Sequence, residues 1–431
     1  MNTLKLKLPP HLGPKYVWTL VRHFAQLTQD IDDEASRLLV DASDVVKCFP
    51  NGALSLLAAL DAVRDDLSSI EVIPPRDAGA FRHMKDRNWL HLLDATRFEG
   101  SEHPFAAAKF SNGIEASQHR RKMVELLLRR VGISKEAIDA FNWTSGELMD
   151  NVLSHAGTEL DQVAGYVQLA LESPSSPNEM INLCVADSGR GIRNSLRESI
   201  PDLDNDVQAI HEAVRRGVTR NACHGQGNGL SGSLELARGF EGHLSVTSYS
   251  ARVTWPNPLS NASFDQQVFR DRLCFPGTVV SLQMRARSSV SPGPLIMGVP
   301  GTTYLPEDVL ESYCVGEENI VRLEVLAHTG GDTSRAGASQ LRVLARRLLK
   351  EYPTSLLVVT WGGIDVIETS FADEFIGKLF CEFGPVQFLS RIRLDGMSPF
   401  VVGVINRAVM QRAFQTVATS DLNPSRAATS D

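Results

Sequence analysis

In the stretch GELMDNVLSHAG, Gly146 to Gly157, three polar residues stand four apart: Glu147, Asn151 and His155. Four residues advance an α-helix by about 400°, so this spacing lays the three side chains as one slowly drifting stripe along a single helix face. Such a stripe either faces water or does chemistry. Thr144 stands three residues before Glu147, which is the capping-box pattern, and by that reading Glu147 satisfies backbone N–H groups at a helix start. The remainder of the chain has to separate the two.

An apolar run, INLCVADSG (Ile181 to Gly189), predicts a strand that ends in the glycine turn DSGRGI. A polar, glycine-spotted segment then reaches GQGNGLSGSLELARGFEGHLSVTS, read as a glycine loop, a helix and a strand. GTVVSLQM (Gly277 to Met284) closes the region as a further strand. Gly227, Gly229 and Gly232 match G-x-G-x-x-G, but a dinucleotide fingerprint needs an apolar strand directly before it, and RRGVTRNACHGQ is polar and broken. The sequence holds no G-x-x-x-x-G-K-[ST], so a P-loop is not the phosphate cradle.

In this order the pieces resemble the Bergerat-fold, or GHKL, ATP-binding domain shared by the ATPase component of DNA gyrase, heat-shock chaperones, sensor histidine kinases and the mismatch-repair protein MutL. The family's E-x-x-x-N box, often followed by H-A, is matched by Glu147, Asn151, His155 and Ala156. Its D-x-G-x-G-I box is matched by Asp187, Gly189, Gly191 and Ile192. The G-x-G-x-G-L lid falls on Gly225, Gly227, Gly229 and Leu230, and the closing G-T on Gly277 and Thr278.

The resemblance implies a role for each residue. Asp187 accepts the exocyclic amino group of adenine, a donor that guanine lacks at that position, and Thr278 supports that contact through its hydroxyl or a water. Gly189 and Gly191 leave room for the ring and the turn. Asn151 offers an amide oxygen to Mg²⁺, a hard cation that keeps several waters of its own. Gly225, Gly227 and Gly229 let backbone N–H groups close over the phosphates of ATP, with Leu230 opening the helix behind them. Glu147, one turn from Asn151, is placed to orient or deprotonate an attacking water or hydroxyl. Arg216 or Arg220 is expected to reach the γ-phosphate. His155 fits the pattern, although a lone histidine on a helix is as readily a structural hydrogen-bonding residue.

The flanks have another character. RLLVDASDVVKCFPNGALSLLAALDAVRDD (Arg37 to Asp66) reads as an apolar strand, a loop broken at Pro50 and an amphipathic helix, and LLVVTWGGIDVIETSFADEFIGKLFCEF (Leu356 to Phe383) reads alike. With Leu38 laid on Leu356 the helix starts coincide, and Gly52 falls on Ser370. The second of these is similar to STAS-like domains, the anti-sigma-factor-antagonist fold, whose helix start carries a regulatory Ser or Thr. Ser370 stands at that place; as an alternative it caps the helix, with Asp373 completing a capping box.

The expected fold class is therefore α/β, an α+β sandwich for the central domain with α/β units at both ends. The expected divisions are an N-terminal STAS-like unit over 1–105, the ATP-binding domain over 106–287, a Pro-rich linker over 288–305, and a C-terminal STAS-like domain over 306–431 with a polar, disordered tail. His119 is followed by Arg120, without the acidic neighbour of a phospho-accepting histidine, which argues against autophosphorylation there. Nothing resembles the transducer domain of the gyrase and MutL branches.

Composition narrows the partners. With 43% hydrophobic residues the 431-residue chain can bury ordinary cores. A formal net charge of -8 argues against a main task of coating nucleic acid or anionic membrane, despite the basic run HRRK (His119 to Lys122). The six cysteines are scattered without a C-x-x-C pair, and no run approaches the length of a membrane span, so reduced thiols and a cytoplasmic location are expected. The expected function is an ATP-binding regulator, with Mg²⁺, that hydrolyses ATP or phosphorylates a protein hydroxyl as an ATPase or serine/threonine-type kinase. Lid closure would control protein partners bound through the STAS-like units, or a second copy in a homodimer. The alternative is an ATP/ADP-sensing module of a signalling or defence assembly that turns nothing over.

Overall fold

The computed structural model describes residues 3–13, 36–157, 163–215, 229–259, 263–268, 274–297, 313–315 and 319–421. The chain is of mixed α/β class and forms two compact units, one of Met1–Val124 with Gly132–Pro306, the other of Glu125–Val131 with Glu307–Asp431. Among the described residues no helix is long and apolar enough to cross a membrane.

The first unit begins with three parallel strands in the order β1 (Thr3–Lys7), β2 (Ser36–Asp41) and β3 (Leu67–Ile73). Helix α1 (Pro50–Asp61) connects the last two; Pro50 supplies its first turn, where a missing N–H costs nothing, and Ala and Leu favour the rest. Every residue of α1 from Gly52 to Leu60 is buried. A helix apolar all round needs cover on more than one side.

That second cover is the central sheet. Among the described residues it has seven strands in the order β9-β8-β7-β10-β6-β5-β4, all neighbours antiparallel: β4 (Ala108–Phe110), β5 (Gly165–Glu172), β6 (Met180–Asp187), β7 (His243–Tyr249), β8 (Ala251–Trp255), β9 (Asp265–Val268) and β10 (Phe275–Arg285). Tyr166, Cys184, Ala186, Phe275 and Val279 join one hydrophobic core with Leu54, Leu56, Leu57 and Leu60 of α1 and with Leu38, Val40 and Val72 of the small sheet. Side chains alternate along a strand, so Ile181, Leu183, Val185 and Asp187 point to the opposite face. INLCVAD is apolar at nearly every position because both faces of β6 are covered. The 1–105 segment thus shares its core with the central sheet and belongs to the same compact unit.

Polar groups seal this back face. Trp89 Nε1 donates to Gln168 Oε1 at 2.9 Å, and Tyr166 Oη donates to Asp61 Oδ1 at 3.0 Å, where Lys109 Nζ also arrives at 2.8 Å. On the front face lie α2 (Lys135–Asn151), α3 (Gly191–Leu196) and α4 (Gly229–Gly239). The Pro-rich stretch after β10 contains a helix, α5 (Pro292–Met297), packed on α4 with Ile296 buried, where sequence suggested only a connecting segment.

In the second unit β11 (Cys314–Val315), β12 (Ile320–Glu324), β13 (Leu356–Thr360) and β14 (Ile392–Asp395) form a sheet in that order, the last three parallel. Ser334 caps α6 (Arg335–Glu351), accepting from Gly337 N–H. The chain after β13 is helical from Thr369 to Arg391, with a π segment at Asp373–Gly377 and a kink at Gly384, and it packs Phe371 and Phe375 against Trp361. The expected capping box at Ser370 is absent: Ser370 Oγ donates to Glu368 Oε2 at 2.9 Å, and Asp373 is held by Arg412 through two bonds of 2.6 and 2.8 Å. A bidentate guanidinium is the stronger partner for that carboxylate.

Candidate functional site

α2 starts well before the polar stripe. Ser134 is its N-cap, its hydroxyl accepting from Ala137 N–H at 3.2 Å, and Thr144 and Glu147 lie in the helix interior. Interior N–H groups already have partners four residues back, so the capping-box reading of Glu147 is wrong. Thr144 is buried, whereas Glu147 and Asn151 are half-buried on the stripe. After Asn151 the winding changes: Val152–Ala156 forms a π segment, a local widening frequent at functional sites. His155 therefore leaves the regular spacing of the stripe.

The head of α4 comes down on this face. A Cβ placed on Gly229 would stand 2.7 Å from Glu147 Oε2 and 3.3 Å from Asn151 Nδ2, and one on Gly232 would stand 2.3 Å from the Trp143 ring. These two glycines let the helices meet closely enough for the start of α4 to face Glu147 and Asn151. Leu230 is half-buried and packs against the apolar cluster of Leu196, Leu203, Ala209 and Ala213. Gly225, Gly227, Arg216 and Arg220 lie outside the described residues.

The turn after β6 docks on the end of the π segment. Arg190 N–H donates to Ala156 O at 2.9 Å, and a Cβ on Gly189 would come within 2.5 Å of Ala156 Cβ. This close approach to Ala156 gives the glycine at 189 a packing reason. Gly191 has φ +72° and lies under the Tyr249 ring, where a Cβ would meet Cδ2 at 2.4 Å. Gly277 has φ +112°, and a Cβ there would strike Asp187 O at 2.0 Å. Both positions call for glycine on conformation and on space.

Asp187 ends β6 with 5% of its surface exposed. Its Oδ1 accepts Gly189 N–H at 2.8 Å. Burial pushes its carboxyl up to about 7, although N–H groups of Gly189 and Thr278 pull the other way. Burial also raises Glu147, with the charge of Asp150 adding to it. Strand register sets Thr278 opposite Asp187 on one side and opposite Ser248 on the other, so the three form a row across β6, β10 and β7. Sequence reasoning missed Ser248. Its signal lies only in the pairing of β7 with β10, which no local pattern in HLSVTSY displays.

The described residues of all four motifs are thereby brought together: Glu147 and Asn151 with Gly229, Ala156 with Gly189, Gly191 with the Ser248–Tyr249 end of β7, and Asp187 with Thr278. Among the described residues no three His, Cys, Asp or Glu side chains gather as a metal cage. The lone Asn151 amide suits a hard cation that takes its remaining oxygens from water and phosphate. Compared with known proteins, the chain matches no family model and no curated protein.

Proposed function

We propose that residues 106–287 are a Bergerat-type ATP-binding domain with Mg²⁺ as its cofactor, in which Asp187 takes the adenine amino group and Glu147 promotes attack on the γ-phosphate. The observation that carries this reading is the buried Asp187 carboxyl, paired in register with Thr278, on a sheet whose front helix turns Glu147 and Asn151 toward the start of α4. A buried carboxylate that takes N–H groups from Gly189 and Thr278 still has lone pairs left for a ligand, since its two oxygens offer about four acceptor sites.

In this reading Glu147 takes the proton from a water or a protein hydroxyl as its oxygen bonds to γ-phosphorus, and ADP leaves with the electrons of the broken P–O bond. Its raised pKa brings the base closer to neutral pH, where proton transfer is most efficient. Asn151 would hold Mg²⁺ through its amide oxygen, and the ion when bound neutralises phosphate charge. N–H groups at the start of α4 supply the anion-binding end of an eleven-residue helix. The interior position of Glu147 favours turnover over sensing, since helix capping no longer accounts for that residue. Ser370 in the second unit, or the hydroxyl of a protein partner, is the acceptor to examine for transfer.

Calorimetric titration with Mg-ATP tests the reading: Asp187→Asn should weaken binding about a hundredfold or more, since an amide presents an N–H toward the adenine amino group. Unchanged affinity would remove the adenine assignment. Labelled ATP followed by peptide mapping then distinguishes free phosphate from label on Ser370 or on an added partner.

A further inference from the structure

Three polar side chains cross the front of the sheet in one row, Asp187 on β6, Thr278 on β10 and Ser248 on β7. Ser248 is 1% exposed, so its hydroxyl answers only to protein groups. Among the described residues it has three polar contacts. Ile192 N–H donates to Ser248 Oγ at 2.9 Å, Ser248 Oγ donates to Gly277 O at 3.4 Å, and Ser248 Oγ and Thr278 Oγ1 stand 3.3 Å apart.

A hydroxyl has one proton and two lone pairs. The carbonyl of Gly277 can only accept, whereas Thr278 Oγ1 can donate or accept, so the one arrangement that satisfies all three contacts together gives the Ser248 proton to Gly277. The Ile192 N–H can only donate, which occupies one Ser248 lone pair. What remains on Ser248 is a single lone pair, and the contact with Thr278 is therefore donated by Thr278. With its proton turned toward β7, Thr278 Oγ1 presents only lone pairs to the rest of its surroundings. The neighbour across β6 is Asp187, which as a carboxylate is also an acceptor. Directly opposed residues on an antiparallel pair stand about 5 Å apart at Cβ, so both acceptors reach one small group between them.

We propose that Ser248 is a positioning residue that fixes the Thr278 hydroxyl as an acceptor, so that Asp187 and Thr278 together select a purine bearing a 6-amino group and reject one bearing a 6-oxo group. The two hydrogens of an amino group satisfy both acceptors. An oxo group would face two lone-pair-bearing oxygens with no proton between them, and its own burial would go uncompensated. Ser248 touches no ligand; it acts through Thr278 and, by way of Ile192 N–H, through the turn beyond Asp187. This inference rests on the ATP-binding reading above and adds to it the residue that orients the Thr278 hydroxyl.

The test is the ratio of affinities for Mg-ATP and Mg-ITP, measured by calorimetry on the full chain at pH 8, where Asp187 is ionised. The unsubstituted protein should prefer ATP by about a hundredfold or more. Ser248→Ala frees the Thr278 proton to turn toward the base, and the ratio should narrow by about tenfold, the worth of one hydrogen bond. Ser248→Thr retains the hydroxyl and should retain the ratio. Equal loss of both affinities in Ser248→Ala, with the ratio unchanged, would show a merely structural role and overturn the proposal. Should Ser248→Ala fail to fold, Thr278→Val carries the same test, because it removes the oriented acceptor; a ratio left unchanged there is equally fatal. A protein that binds neither nucleotide removes the ATP-binding reading itself, an outcome distinct from tight ATP binding with an unaltered ratio.

Discussion

The face of the central sheet that lies on α1 and the face that carries Asp187, Thr278 and Ser248 are cut from the same strands, alternate residues going to each. On the back, Tyr166, Cys184, Ala186 and Val279 meet an apolar helix, and the polar atoms there, Trp89 Nε1 with Gln168 and Tyr166 Oη with Asp61, are closed on one another. On the front, Asp187 is as deeply buried as many core residues, yet its carboxyl is pushed into the neutral range. The back face is at rest and the front face holds strain in the form of a buried ionisable group. On the proposed ATP-binding reading, stability and ligand recognition divide between the two sides of one layer, and substitutions should divide the same way.

The largest effect is expected on the front. Glu147→Ala should lower ATP hydrolysis or transfer by about 10²–10⁴-fold, the usual worth of a positioned general base, while ATP affinity stays within a few-fold. Equal turnover in the variant, read by phosphate release, would take the chemistry away from this face. On the back, Gly52→Ser should cost on the order of 3 kcal/mol, because a Cβ at Gly52 would come within 2.6 Å of the Leu12 carbonyl carbon and oxygen. Urea denaturation measures it, and the folded fraction should bind ATP as before; lost affinity at intact stability would mean that the two faces are not separate in function.

Asp187→Asn sharpens the contrast through pH. The folded carboxyl titrates near 7 and the unfolded one near 3.8, so the folded state holds its proton more tightly. Stability from this group is complete below about pH 4 and is lost as pH rises through 7. The variant should therefore exceed the unsubstituted protein in stability at pH 8 by up to a few kcal/mol, and the gap should close toward pH 4. Melting curves at the two pH values would refute this if the gap were constant. The smallest effect belongs to the back again: Trp89→Phe leaves Gln168 Oε1 without its 2.9 Å donor and should cost about 1–2 kcal/mol without altering nucleotide affinity.

Much of the front face was legible in the sequence because its motifs are local. The strand ending at Asp187, the turn glycines, the helix opening at Gly229 and the Gly277–Thr278 close all sit where their residues suggest. The start of α2 was misread, since Thr144 and Glu147 mimic a capping box, whereas the helix is capped ten residues earlier by Ser134. Ser248 was invisible, because its role arises from register between strands distant in sequence. The back face shows the opposite failure. NGALSLLAAL has no polar stripe, and that alone reports a helix covered on both sides, yet its likeness to the segment around Ser370 drew it toward a separate unit. The strand-loop-helix order is indeed repeated, in Ser36–Asp41 with Pro50–Asp61 and in Leu356–Thr360 with the helix from Thr369. What differs is burial: the first helix is enclosed, whereas beyond its kink the second leaves Val386 and Leu389 about four-fifths exposed, at 80% and 76%.

The π segment at Val152–Ala156 has a consequence for how this chain can drift over generations. Glu147 and Asn151 before it answer to the start of α4, and Ala156 after it answers to the turn at Gly189, so the two ends are held in phase by the number of residues between them. Losing one residue would rotate everything beyond by about 100° and swing Ala156 off Gly189, whatever residue types were kept. Many substitutions at Leu153 or Ser154, on the more open side, leave that phase untouched. Descendants of this sequence should therefore vary most freely at Leu153 and Ser154 while keeping the length of the segment.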